Sequence, residues 1–131
     1  PGARVRYTIR VGNGDAAQIV DSNSIVVVDP VPAGTALYVG DLAGPGSGPV
    51  RFIDSVPASG VSYSFAGLGS ATDSLAFSND GGATFTYTPT PDANGVDTAV
   101  THIRVTASGR PSCNATATVR SFELQFDVRV P

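Results

Sequence analysis

The sequence predicts an all-β fold, a β-sandwich of about eight or nine strands, and three observations carry that prediction. Apolar residues recur with period two in one segment after another, the period of a strand with one buried face. No segment combines a helical period with capping residues. Of the eleven acidic residues only Glu123 is Glu and the rest are Asp, a balance that suits turns better than helices.

The elements follow in chain order. Val5, Tyr7, Ile9 and Val11 alternate with Arg4, Arg6, Thr8 and Arg10, which predicts a strand over 3–11, and Asn13-Gly14-Asp15 supplies turn chemistry after it. Ile25-Val26-Val27-Val28 is a β-branched run suited to a strand covered on both faces. The segment Asp29-Pro30-Val31-Pro32-Ala33-Gly34 stops it, because Pro cannot donate to a ladder. Leu37-Tyr38-Val39 precedes a Gly- and Pro-rich loop from Gly40 to Pro49, and Val50-Arg51-Phe52-Ile53 reads as the next strand. Val61, Tyr63 and Phe65 alternate with Ser62 and Ser64.

Leu75 and Phe77 lead into Asn79-Asp80-Gly81-Gly82, a hairpin turn from which Phe85 and Tyr87 return against Thr84, Thr86 and Thr88. Pro89 to Asp97 reads as a loop, and Thr101, Ile103 and Val105 then share one face. Over 121–130, Phe122, Leu124, Phe126, Val128 and Val130 alternate with Ser121, Glu123, Gln125, Asp127 and Arg129. Long, uneven loops between these runs favour an immunoglobulin-like Greek-key sandwich over an up-and-down barrel.

Size and composition narrow the function classes. A chain of 131 residues and 13.3 kDa suits a single domain spanning 1–131. It should expose on the order of 6,500 Å² when folded, burying enough for a core without disulfides or metal. No apolar run approaches the roughly 20 residues of a membrane-spanning helix. Pro1-Gly2-Ala3-Arg4 leads straight into a strand, so the expectation is a mature chain or a fragment of a larger exported protein, extracellular or at a bacterial cell surface. Net charge is −3 and the eight cations, all Arg, are spread singly, which argues against a nucleic-acid partner. The lack of Lys also closes the route to Lys–Asn or Lys–Asp isopeptide cross-links. Cys113 is the one cysteine, so no intrachain disulfide forms, and whether it pairs with another chain is left open.

Catalysis needs a nucleophile, a base and a group that orients them. One His, one Cys and one Glu give little to build from, so the chain is expected not to be an enzyme and to hold no cofactor. His102 has the parity of a polar strand face beside Arg104; a surface His is the plainer reading, and a pair with Cys113 across one loop is the alternative. Asp92, Asn94 and Asp97 place three oxygen-bearing side chains within six residues around Gly95, a partial shell for calcium. Asp15, Asp21, Asn23 and Asp29 form a second group, and turn-making accounts for both. Asn114-Ala115-Thr116 matches an N-glycosylation acceptor, a pattern short enough to arise by chance. The two long terminal strands either pair within the domain or, at a sheet edge, offer backbone groups to another chain.

Tyr7-Thr8-Ile9-Arg10-Val11-Gly12-Asn13-Gly14-Asp15-Ala16 and Ile25-Val26-Val27-Val28-Asp29-Pro30-Val31-Pro32-Ala33-Gly34-Thr35 resemble the conserved-repeat domain of bacterial and archaeal cell-surface proteins, a family of unknown function. Phe77-Ser78-Asn79-Asp80-Gly81-Gly82 and the closing strand look like the rest of a longer version of it. The resemblance implies an immunoglobulin-like sandwich in a large exported protein or appendage, with Asp29 as a turn-forming element and no catalytic residues. One copy is present where the family usually occurs in tandem. Tyr87-Thr88-Pro89-Thr90-Pro91-Asp92-Ala93-Asn94-Gly95-Val96-Asp97 is similar to a segment of bacterial cadherin-like repeats, some of which bind calcium.

The expected function is a structural module of a cell-surface protein or a subunit of an extracellular filament such as a pilus, acting through contacts with other copies or neighbouring repeats. Strand complementation is one means of making such contacts, available if a terminal strand lies at a sheet edge. The alternative is an adhesion or carbohydrate-binding module that meets a glycan or surface through loops at one end of the sandwich. The absence of Trp, and the core parity of most Tyr and Phe, weigh against the alternative.

Overall fold

The computed structural model describes residues 1–13, 20–112 and 120–131. Ten strands and no helix occur among them: β1 (Arg4–Asn13), β2 (Val26–Pro30), β3 (Ala36–Tyr38), β4 (Arg51–Asp54), β5 (Val61–Ser62), β6 (Leu75–Ser78), β7 (Val96–Asp97), β8 (His102–Thr106), β9 (Ser108–Gly109) and β10 (Arg120–Arg129). All pairings are antiparallel. The first sheet runs β1-β10-β3-β7 with β4 also on β10, the second runs β2-β8-β6, and β5 pairs with β9. The sheets do not close into a barrel.

β10 organises the first sheet. β1 lies along its whole length, from Arg4 opposite Arg129 to Asn13 opposite Arg120. Its other side is shared end to end, β4 covering Phe122 to Gln125 and β3 covering Val128 and Arg129. Beyond the last pair, Gly2 N donates to Val130 O at 2.7 Å and Val130 N to Ala3 O at 2.9 Å, so the two terminal segments lie side by side. The period-two pattern explains the burial. Phe122, Leu124, Phe126 and Val128 enter a core that also takes Leu37 from β3, Leu75 and Phe77 from β6, and Ile103 and Val105 from β8. One apolar cluster is thus fed by both larger sheets, a sandwich-like arrangement with a total surface of 6841 Å².

Three departures from the sequence expectations have physical causes. Ile25–Val28 is not covered on both faces: β2 is the edge of its sheet, Val27 turns inward, and Val26 and Val28 are about half exposed. The return from the Asn79–Gly82 turn does not become a strand. Only Tyr87 bridges back, to Phe77, because the preceding chain is held by Asp80, which accepts from the Thr84 amide and hydroxyl. Conversely, the loop Pro89–Asp97 ends in β7. Gly95, at φ 73°, turns the chain so that Val96 pairs with Tyr38, and a side chain there would press on the Tyr38 ring. β7 and β9 are two residues each, too short for any period to signal.

Candidate functional site

The exposed edge of β1 is the most distinctive surface feature of the described chain. In an antiparallel ladder alternate residues point their backbone groups at the neighbour and the rest point them away. Val130 N to Ala3 O sets the phase, so Val5, Tyr7, Ile9 and Val11 bond β10, while Arg4, Arg6, Thr8, Arg10 and Gly12 turn their N–H and C=O outward. Ser55 N to Ser121 O gives β10 the complementary phase, its other set of backbone groups serving β4. Among the described residues nothing pairs with the outward set of β1.

Side chains give this edge two unlike faces. On the core-facing side Val5 is 40% and Tyr7 37% exposed, although their partners Val128 and Phe126 are 0% exposed. Tyr7 stacks on Phe126 with ring centroids 5.4 Å apart and planes 11° apart, leaving an apolar shelf at the rim. On the opposite face Asp127, nearly buried, accepts from Arg6 Nε at 2.8 Å and Nη2 at 3.2 Å, and from Arg4 Nη2 at 3.1 Å. This fork holds the Arg6 guanidinium above its ordinary pKa, first through the hydrogen bond and then through the charge of Asp127. Arg4 also lies 3.6 Å over the Tyr38 ring, so the arginine row is fixed in place.

The other main edge is blunted. In β2 the pairs of Ile25 with Ala107 and of Val31 with Thr101 leave Val26, Val28 and Pro30 facing outward, and Pro30 has no N–H to offer. β1 is twice as long as β2, ten residues against five, and contains no Pro. Of the two, it is the edge suited to strand addition.

The residues singled out for calcium are separated by their bonding. Asp92 Oδ1 accepts from the amides of Asn94 at 2.7 Å and Val96 at 3.1 Å, which closes the turn around Asn94 and holds the carboxyl below its ordinary pKa. Asp97 is buried, and its Oδ2 accepts from Tyr87 Oη at 2.9 Å and from the Thr90 amide at 2.7 Å, while Oδ1 accepts from the Ala99 amide at 2.8 Å. Asp92 and Asn94 therefore share one turn, and Asp97 fastens a different stretch of chain from within. No group of three or more His, Cys, Asp or Glu able to hold a metal ion occurs among the described residues.

In the second acidic group, Asn23 Oδ1 accepts from Gly109 N, while Asp29 turns inward on β2, where burial raises its pKa against the opposing influence of His102. Asp15, Cys113 and the Asn114-Ala115-Thr116 pattern lie outside the described residues. His102 shares the outward face of β8 with Arg104, half-buried and with Nδ1 buried without a hydrogen-bond partner. A depression beside that face, where Arg104 meets Phe85, was not legible in the sequence, since Phe85 has core parity and its outward packing depends on the broken return strand.

No family model, no curated protein and no solved structure matches the chain. No helix among the described residues is long and apolar enough to cross a membrane.

Proposed function

We propose that the chain is a structural module of immunoglobulin-like Greek-key design, part of a cell-surface protein or extracellular filament. It acts by pairing the free edge of β1 with a strand of another copy or of a neighbouring repeat. The observation that carries this reading is the edge of β1, whose outward backbone groups at Arg4, Arg6, Thr8, Arg10 and Gly12 pair with nothing among the described residues. An added strand would satisfy those groups and cover the shelf of Val5 and Tyr7 in one step, combining ladder bonds with apolar burial. The resemblance of segments 7–16 and 25–35 to surface-protein repeats points the same way.

Light scattering of the purified chain over a concentration series tests it, with Thr8→Pro in parallel. Thr8 directs its N–H to the outer edge, so Pro removes an intermolecular donor and leaves the backbone ladder to β10 intact, losing on that side only the 3.4 Å contact from Gln125 Nε2 to the Thr8 hydroxyl. The expected result is a mass rising above 13.3 kDa with concentration in the parent and a flat monomer in the variant. A parent monomeric throughout would sink self-assembly through this edge.

A further inference from the structure

We infer that the outward face of the β2-β8-β6 sheet carries a binding site for a carboxylated sugar, with Arg104 as its anion-binding group. This inference does not rest on strand pairing at β1, which belongs to the other sheet. A depression of about 340 Å³ opens over Ala76 of β6 and Arg104 and Thr106 of β8. Its walls include Ser70 and Ala71 on one segment and Phe85, Thr86 and Thr88 on another. That volume lies at the lower end of the range for small-molecule sites, roughly 300–1,000 Å³, and suits one or two sugar rings.

Arg104 is the unusual member. It is half-buried, and its guanidinium sits 4.7 Å from the centroid of the Phe85 ring, which fixes it in place. Among the described residues the guanidinium has no carboxylate partner and no hydrogen bond. Its cross-strand neighbours are Val28 and Ala76, neither of which can answer its charge. The carboxylate in the same depression is Asp73, and its oxygens already accept from the amides of Ala66 at 2.8 Å, Gly67 at 3.4 Å and Leu75 at 3.2 Å. Elsewhere in the fold Arg4 and Arg6 do meet a carboxylate, both at Asp127. A held, unpaired guanidinium fork in a cleft recognises a planar anion, best a carboxylate in two-pronged contact.

The rest of the lining decides what carries that carboxylate. The hydroxyls of Thr86, Thr88 and Thr106 line the depression and make no hydrogen bond within the described protein, so they can donate to and accept from ring hydroxyls. Leu68, Ala71 and Ala76 supply apolar patches between them. Fixed cation, free hydroxyls and small apolar surface together match a hydroxylated ring bearing a carboxylate, as in a uronic acid.

Amide chemical-shift titrations of the chain with glucuronate, glucose and acetate test the inference, repeated on Arg104→Gln, Thr86→Val and, as a control on another strand, Arg51→Gln. Glucuronate is expected to give saturable shifts centred on Ala76, Thr86, Arg104 and Thr106, with glucose and acetate each at least tenfold weaker. Arg104→Gln should weaken glucuronate at least tenfold and Thr86→Val several-fold, while Arg51→Gln binds as the parent does. The amide spectrum of each variant reports whether it is folded, and Thr86→Val serves if Arg104→Gln is not. Absence of saturable shifts with glucuronate overturns the site. So does acetate binding as well as glucuronate, or binding unchanged in both Arg104→Gln and Thr86→Val.

Discussion

Asp80 shows how much one side chain can settle in this fold. It accepts from Ser78 Oγ at 2.6 Å, from the Thr84 amide at 2.9 Å and from Thr84 Oγ1 at 2.6 Å, and these bonds hold its pKa down at about 2 against an ordinary 3.8. Between those two values the unfolded chain binds the extra proton, so stability is complete above the ordinary value and falls as pH drops through about 2. Asp80→Asn should therefore lower the melting temperature at pH 7, and the gap from the parent should shrink as pH falls from 4 towards 2. Asp41 is also held low, by the Gly46 and Gly48 amides, and titrates alike in both proteins, so melts run side by side isolate Asp80. The turn itself was legible in Asn79-Asp80-Gly81-Gly82, where Gly81 and Gly82 take φ of 75° and 84°. The grip on Thr84 was not, because hydrogen bonds from a turn to the residues after it leave no periodic trace.

Among the elements, those with long alternation were the legible ones. β1 and β10 span nearly the expected residues, and their inward sets are the apolar ones. The same ladder makes neighbouring positions on β1 unequal. Ile9 N bonds β10 and Thr8 N faces outward, so Ile9→Pro should cost about 1–3 kcal/mol for the lost ladder bond and its unpaired acceptor, and Thr8→Pro far less. Denaturant unfolding of the two variants checks this, and equal losses would mean that the phase assigned to β1 is wrong. Edge position is what alternation could not convey. The Val26 and Val28 side chains read as doubly covered because a β-branched run looks the same at a centre as at an edge. The arginine row on β1 was plain in the sequence, but its anchor, Asp127, lies more than a hundred residues away.

For the whole molecule, the shared core predicts one cooperative unit. Phe77 from the three-stranded sheet and Phe126 from the larger one are both essentially buried in the same cluster. Phe77→Ala and Phe126→Ala should each destabilise by about 3–5 kcal/mol while leaving a single unfolding transition, seen alike by far-ultraviolet circular dichroism and tyrosine fluorescence. Two transitions, one per sheet, would count against that core. The all-β class was readable because alternation recurs along the chain and helical caps do not. How the strands would share β10 was not, since β3 and β4 reach it end to end through loops whose lengths carry no address.

The meeting of Gly2 with Val130 also fixes how the module would answer tension. A pull applied at these two positions would load the β1–β10 ladder from one end, opening its bonds in succession like a zipper. Were the ends at opposite poles, the same bonds would be strained together in shear. Drawn at Gly2 and Val130, the ladder would thus yield at low force, and a strand laid against β1 from outside would be gripping the segment that peels away.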